Sequence, residues 1–415
     1  MRGSGGSAVH TPTVGSTAPA GRAPEEIRPS EPTPLGLYVH VPFCATRCGY
    51  CDFNTYTAGE LGSTASPQSW MRAVDGELGM AAAQLGTDRA LSTVFVGGGT
   101  PSLLGGQGLA EVLATVRRHF PVADDAEITT ESNPESTDPE FFAAIRSAGY
   151  TRVSLGMQSM APHVLAVLDR THTPGRAQQA ALEARAAGFD HVNLDLIYGT
   201  PGETDDDLRT SLHAVLDAGV DHVSAYALIV EDGTALARRI RKGQIAAPDD
   251  DVLADRYELI DQTLRGAGMD WYEVSNWAAT DDPSAQCRHN LGYWHDADWW
   301  GIGPGAHSHV AGRRWWNVKH PARYAESITA GELPVAGSET LNADEHHTER
   351  VMLTIRCRTG LPAAELDASE LSRARRAVDD GLLTWAGENL VLTSRGRLLA
   401  DGVVRSILVA DRSAA

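Results

Sequence analysis

The sequence has no stretch that reaches the about 18 continuous apolar residues of a membrane span, and no apolar, signal-like run near Met1. Cysteine is scarce: five residues in 415, an odd number, with three of them inside eight positions. That count argues against a disulfide framework and for a reducing compartment. Basic residues are outnumbered, and the formal net charge is −19. A chain this acidic repels nucleic-acid phosphates unless a local basic patch intervenes. The Arg-rich pieces, Arg238-Arg239-Ile240-Arg241-Lys242 and Arg373, Arg375 and Arg376, lie in helix-like stretches among acidic neighbours and read as solvated faces. A dinucleotide fingerprint and a phosphate-binding P-loop are also missing, because the run Gly97-Gly98-Gly99 lacks their spacing and their Lys. The expectation is a soluble, cytoplasmic protein that does not bind nucleic acid.

What is present centres on residues 38–54, Tyr38-Val-His-Val-Pro-Phe-Cys44-Ala-Thr-Arg-Cys48-Gly-Tyr50-Cys51-Asp-Phe53-Asn54. A β-prone run over 37–41 leads through Pro42 into three cysteines spaced C-x3-C-x2-C. Three thiolates on one short loop can hold three corners of an iron–sulfur cluster, whereas a four-iron cluster normally takes four. With three, one iron keeps a position for a ligand that is not protein. Two plainer readings stay open at this point, structural thiols or part of a zinc site. Zinc wants four N or S ligands, and no fourth stands near: Cys287 and Cys357 are far along the chain and Asp52 is a poor match.

Residues 1–34 are rich in Gly, Ser, Thr, Pro and Ala without a period, and are expected to be a disordered tail. Short β-branched runs then recur at 37–41, 93–96, 127–130, 152–155, 191–197 and 222–228, separated by Ala- and Leu-rich helical segments. From the second run on, the spacing is that of a strand–helix repeat in a parallel α/β barrel. Residues 139–149 illustrate it, with Asp138 able to cap the start and Gly149 the end. Six repeats fit; the two more that would complete an eight-stranded barrel are not found. The fold class expected over 35–270 is therefore a partial (β/α)6 barrel.

Catalytic groups in such barrels sit at the C-terminal ends of the strands. Unusual residues collect there: Gly97-Gly98-Gly99-Thr100-Pro101, Glu131-Ser132-Asn133-Pro134, Gly156-Met157-Gln158-Ser159, and Asp195 ahead of Ile197-Tyr-Gly-Thr-Pro-Gly202. Glycine lets backbone amides approach a ligand closely; a tight strand–helix turn explains the run equally well. Glu131, Gln158 and Asp195 could each be a helix cap or a loop hydrogen bond, and Arg170 a surface ion pair with Asp169. Four such ends beside a cysteine loop suggest one shared cleft.

The cysteine spacing resembles the radical SAM superfamily signature. Tyr38-Val-His-Val-Pro-Phe-Cys, Gly-Gly-Gly-Thr-Pro, Ser154-Leu-Gly-Met-Gln and Asp195-Leu-Ile-Tyr-Gly resemble its coproporphyrinogen III oxidase-like branch over about residues 35–310, and more weakly beyond. The resemblance implies a [4Fe–4S] cluster on Cys44, Cys48 and Cys51, with S-adenosyl-L-methionine on its open iron. It implies cofactor contacts at Tyr38, Tyr50, Gly98, Gly99, Thr100, Glu131, Gln158, Arg170, Asp195, Ala227 and His307, those of Tyr50 and Ala227 mainly through backbone. The oxidase of this branch carries a fourth cysteine two residues after the third; here that position is Phe53. Phe53 matches the oxidase's sister group, the heme chaperones.

Residues 271–335 hold most of the nine tryptophans, in Trp271-Tyr-Glu273-Val-Ser-Asn276-Trp277, Cys287-Arg-His289-Asn-Leu-Gly-Tyr293-Trp294, Trp299-Trp300, His307-Ser-His309 and Trp315-Trp316. Aromatics offer broad contact to a flat ligand, and a histidine can ligate its iron; a weld between two domains is the competing reading. His289 to Trp294 matches the H-N-x-x-Y-W motif associated with heme binding in the heme-chaperone group. His289 is the favoured axial ligand, with Tyr293 and Trp294 covering a porphyrin face and His307, His309 and Cys287 in reserve. Residues 336–415 read as helices over 345–358 and 368–383, a hairpin, and a last helix over 394–408. That order resembles a winged-helix module, here a lid or docking domain, with Cys357 a buried thiol.

The resemblance implies a heme chaperone that delivers heme to an acceptor protein, one that can lie at a membrane, and no decarboxylation of coproporphyrinogen III. The alternative is the oxygen-independent oxidase itself, which would use a 5′-deoxyadenosyl radical to take hydrogen from a propionate side chain. A radical enzyme on another substrate is a third.

Overall fold

The computed structural model describes residues 33–61, 65–170 and 173–409. The tail expected over 1–34 lies outside them except for Thr33 and Pro34. The six expected strands form as β1 (Leu35–Val41), β2 (Leu91–Gly98), β3 (Val122–Ser132), β4 (Arg152–Gln158), β5 (His191–Tyr198) and β6 (His222–Ala227). They pair in parallel in chain order. Helices α1 (Pro67–Leu85), α2 (Gly105–His119), α3 (Pro139–Ala148), α4 (Arg176–Ala186), α5 (Asp205–Asp217) and α6 (Asp250–Gly266) follow them in turn. This is the partial (β/α)6 barrel. Helix α3 is bounded as the sequence suggests: the Asp138 side chain accepts from the Phe141 amide, and Gly149 ends it at φ 109°.

Side chains alternate along each strand. Val39, Val94, Val96, Val153, Leu155, Val192, Leu194 and Val223 are fully buried in the main core with the apolar faces of the helices. The residues between them, Tyr38, Thr93, Glu127, Arg152, Ser154, Asn193, Asp195 and Ser224, turn to the inner face. The barrel interior is thus largely polar, with Phe95 as an apolar exception stacked between Tyr38 and His289.

No further barrel repeats exist among the described residues, because the sheet continues as hairpins. β8 (Asn276–Ala279) adds antiparallel to β6, and β7 (Met269–Glu273) antiparallel to β8. β9 (Asp298–Ile302) adds parallel to β1, followed by antiparallel β10 (His307–Val310), β11 (Arg313–Asn317) and β12 (Val335–Thr340). The 12 strands run β12-β11-β10-β9-β1-β2-β3-β4-β5-β6-β8-β7. The sheet therefore runs through both positions, 270/271 and 335/336, where the sequence suggested domain limits. Between β8 and β9 the chain passes from one edge to the other, carrying α7 (Arg288–Trp294). Helix α8 (Pro321–Thr329) packs on α1, where buried Glu77 accepts from the Tyr324 hydroxyl at 2.6 Å, the Gly303 amide at 2.8 Å and the Asn317 amide at 2.7 Å.

The C-terminal part has its own core around Val351, Ile355, Leu361, Leu390 and Ile407. It contains α9 (Ala343–Thr354), α10 (Ala368–Asp379) and a sheet of β13 (Leu361–Pro362), β14 (Leu383–Ala386) and β15 (Asn389–Leu392) ordered β13-β15-β14. The single last helix expected over 394–408 is two, α11 (Ser394–Leu398) and α12 (Ala400–Leu408), broken at Leu399. Arg397 at the end of α11 reaches back to α6 with a bidentate pair to Asp261, at 2.9 and 2.6 Å. Cys357 is buried, as expected. No helix among the described residues is long and apolar enough to cross a membrane.

Candidate functional site

The loop after β1 is fixed at the C-terminal mouth of the barrel by backbone bonds to three other loops. The Gly99 amide donates to the Val41 carbonyl at 2.8 Å and that of Thr100 to Phe43 at 2.7 Å. The Gly49 amide donates to Leu168, and the Gly49 carbonyl accepts from Leu236. Tyr50 packs against the small cluster of Leu168, Ile197, Leu228 and Leu236. Cys44, Cys48 and Cys51 are all free thiols and all part-exposed. Burial raises the Cys44 thiol and pushes Cys51 up to about 11, and in each the nearby Cys48 sulfur adds to the rise. Arg170 Nη1 donates to Cys48 Sγ at 3.3 Å, and Thr100 Oγ1 to Cys44 Sγ at 3.7 Å.

The glycine run is explained by close approach. A Cβ on Gly98, at φ 110°, would stand 2.6 Å from the His40 ring, and one on Gly99 would stand 2.5 Å from the Phe43 carbonyl oxygen. Behind it, Glu131 Oε2 accepts from the Gly98 amide at 2.9 Å, and burial pushes that carboxyl up to about 8. Asp195 accepts from Ser154 Oγ at 2.9 Å and from Asn193 Nδ2 at 2.6 Å. Burial raises its carboxyl, against the pull of these bonds and of Arg170. Gln158 takes φ 61° beside a register shift with β5, and its Oε1 is buried without a hydrogen-bond partner. Ala227 ends β6 at the same mouth. Tyr38 lies on the inner face, its hydroxyl 3.0 Å from His40 Nδ1. His40 Nε2 meets the Asn54 carbonyl at 2.9 Å and must donate there, so Nδ1 accepts from Tyr38.

These residues fit the implied groups. The orphaned Gln158 oxygen, the side-chain-free approach at 98–99 and a guanidinium beside a thiol suit a charged amino-acid cofactor resting on a cluster. No three His, Cys, Asp or Glu side chains among the described residues are grouped for a single bare ion. A four-iron cluster does not ask for that, since each cysteine takes its own iron.

The turn over 303–307 reaches this same mouth, where Asn54 Nδ2 donates to the Pro304 carbonyl at 2.9 Å, but the rest of the Trp- and His-rich segment lies elsewhere. Helix α7 crosses the opposite, N-terminal mouth as a floor. Glu127 on β3 accepts from the amides of Arg288 and His289, each at 3.0 Å, and is paired with buried Arg152 at 3.2 Å. His289 is 4% exposed. Its Nδ1 is 2.8 Å from Thr93 Oγ1 and its Nε2 2.8 Å from the Tyr293 hydroxyl. Burial lowers its pKa to about 4, so the ring is neutral. Here the structure departs from the expected open porphyrin face at His289: both ring nitrogens are occupied, and Tyr293 turns inward with it. Of the reserves, Cys287 and His309 are buried, Cys287 beside Glu127 and His309 beside Asp296. His307 alone is exposed, its ring stacked on Trp316.

Sequence reasoning did not single out the inner polar chain that joins mouth to floor. It runs from Asp195 through Asn193 to His222 Nδ1 (2.7 Å from Asn193 Oδ1), and from His222 Nε2 to the Tyr272 hydroxyl at 2.7 Å. The signal was available as the polar half of each alternating strand.

The barrel and its three-cysteine loop define a radical SAM protein. The profile described as "Radical SAM superfamily" matches residues 38–215, and "HemN C-terminal domain" matches 341–399. The fold is similar to a solved structure of the Escherichia coli coproporphyrinogen III oxidase HemN (TM-score 0.77, 23% identity, 90% of each chain). The sequence is 63% identical to the heme chaperone HemW of Mycobacterium tuberculosis, over 93% of this chain and 99% of that one. It is 33% identical to the heme chaperone HemW of Escherichia coli K12, over 90% and 98%. The chain belongs to the HemW family.

Proposed function

We propose that this protein is a heme chaperone. It binds heme and passes it to an acceptor protein, on a scaffold that carries a [4Fe–4S] cluster and S-adenosylmethionine. The observation that carries this reading is the 63% identity to a HemW protein across 93% of the chain. Phe53 supports it, standing 61% exposed where the oxidase-like pattern would have a fourth cysteine. Five free cysteines suit a reducing compartment such as the cytoplasm.

Cys44, Cys48 and Cys51 would hold the cluster. Arg170 would balance thiolate and carboxylate charge, while Glu131, Gln158 and Asp195 take the remaining polar groups of the cofactor. When bound, cluster and cofactor supply one-electron chemistry at the upper mouth. The chain's own part is to hold those groups and to keep the floor closed beneath them.

The test is a titration of the reconstituted protein with hemin, run beside an assay with coproporphyrinogen III. Heme binding without conversion to protoporphyrinogen IX is expected. Conversion without heme binding would replace this reading with the oxidase.

A further inference from the structure

Helical periodicity divides the H-N-x-x-Y-W motif between two faces. His289 and Tyr293, four apart, share the face turned into the floor. Trp294 follows on a different face, and with His295 it borders a cleft of about 240 Å³ between α7 and the C-terminal part. Asp296, His346, Arg350 and Leu353 complete the walls that matter.

Four observations about this cleft point to one ligand class. His346, on α9, has its Nε2 2.8 Å from the Asp296 carboxylate while its side chain stays 40% exposed. A carboxylate behind an imidazole fixes the proton on that nitrogen, orients the ring and leaves the other nitrogen as the electron-pair donor, as in ligated histidines generally. Asp296 is itself held on its far side, with buried His309 at 3.6 Å. Trp294 supplies a flat apolar wall. Arg350 lines the cleft with its side chain part-exposed, paired with Glu365 at 2.9 Å. Its guanidinium is the cation for a carboxylate entering the cleft.

A bare metal ion needs more ligands than this, and no three suitable side chains are grouped among the described residues. An iron already held by four porphyrin nitrogens needs one imidazole. We propose that His346 is the protein ligand of heme, with Asp296 orienting it and Arg350 meeting a propionate. The proposal rests on the heme-chaperone reading and names its site. The cleft is smaller than a whole porphyrin, so heme seated here keeps one edge outside, where an acceptor can take it.

The experiment is a hemin titration of the full chain with its cluster reconstituted, followed in the Soret band. The proteins are wild type, His346→Ala, His346→Cys, Asp296→Asn and His289→Ala. His346→Ala should bind about tenfold or more weakly, with cluster iron and S-adenosylmethionine affinity unchanged. His346→Cys should restore binding with a displaced Soret band, because thiolate replaces imidazole; a merely structural histidine would not do this. Asp296→Asn should weaken binding less than His346→Ala. Wild-type affinity and spectrum in His346→Ala, with loss in His289→Ala, would overturn the site and leave the chaperone reading standing. A wild type that takes no heme would overturn both. Should His346→Ala not fold, an unshifted Soret band in His346→Cys would overturn the site on its own.

Discussion

His289 Nε2 lies 2.8 Å from the Tyr293 hydroxyl, one helical turn on, and the pair seals the floor of the barrel. With Nδ1 on Thr93, the ring is a buried cross-brace between α7 and β2. His289→Ala should therefore cost about 2–4 kcal/mol of stability, from the cavity and two abandoned hydroxyls. Its pKa of about 4 lies below the ordinary 6.5. The neutral ring's contribution is thus full above about pH 6.5 and is lost as pH falls through about 4. Urea unfolding at pH 7 and pH 5 should show a smaller acid loss in His289→Phe than in wild type. An equal loss in both would remove the histidine from that dependence.

The cluster should depend on all three loop cysteines. Changing Cys44, Cys48 or Cys51 to Ala should remove most of the iron and the broad visible absorption of protein reconstituted without oxygen. Full iron content in the triple variant would put the cluster elsewhere.

Asp195 is held by Ser154 and Asn193, ready to accept from a ligand. Asp195→Ala removes a charged acceptor worth about 1.5–3 kcal/mol per bond. Calorimetry should show S-adenosylmethionine binding weakened by about 10- to 100-fold, with iron content unchanged. Unaltered affinity would take Asp195 out of the cofactor site.

Glu77 is buried under three donors, and burial raises its carboxyl to about 7 from an ordinary 4.5. A raised value means the stabilisation is full below about pH 4.5 and is lost as pH rises through about 7. Glu77→Gln keeps the shape without ionising, so its stability relative to wild type should improve steadily between pH 5 and pH 8. The ceiling is ~3 kcal/mol. Melting curves across that range are the measurement, and a constant difference would refute the assignment.

Arg397 joins the C-terminal part to the barrel through Asp261 and the Tyr257 hydroxyl, with its guanidinium 4.7 Å from the Trp271 ring centre. Breaking a buried pair strands a charge and costs about 3–5 kcal/mol. Arg397→Ala should show that loss in urea, and faster proteolysis between the barrel and α9. Replacing both partners, Arg397→Met with Asp261→Leu, should recover much of it.

Local sequence determined the six barrel strands and the loop that carries three thiols. β-branched runs at repeat spacing and capped helices such as Asp138 to Gly149 are short-range physics, legible without a partner. Phe53 in place of a fourth cysteine is legible in the same way. Residue type could not decide which way a side chain looks when several chain segments converge on it. His289 carried the motif, but Thr93 on β2 takes its Nδ1 and Glu127 on β3 takes its backbone amide, both far away in sequence, and those contacts turn the ring into the floor. His346 carried no motif. Its carboxylate partner Asp296 lies 50 residues earlier and meets it only because the C-terminal part packs against the end of α7. The sheet edges follow the same rule: which strands flank β1 and β6 depends on where unpaired backbone groups find hydrogen-bond partners, a long-range choice that no single segment encodes.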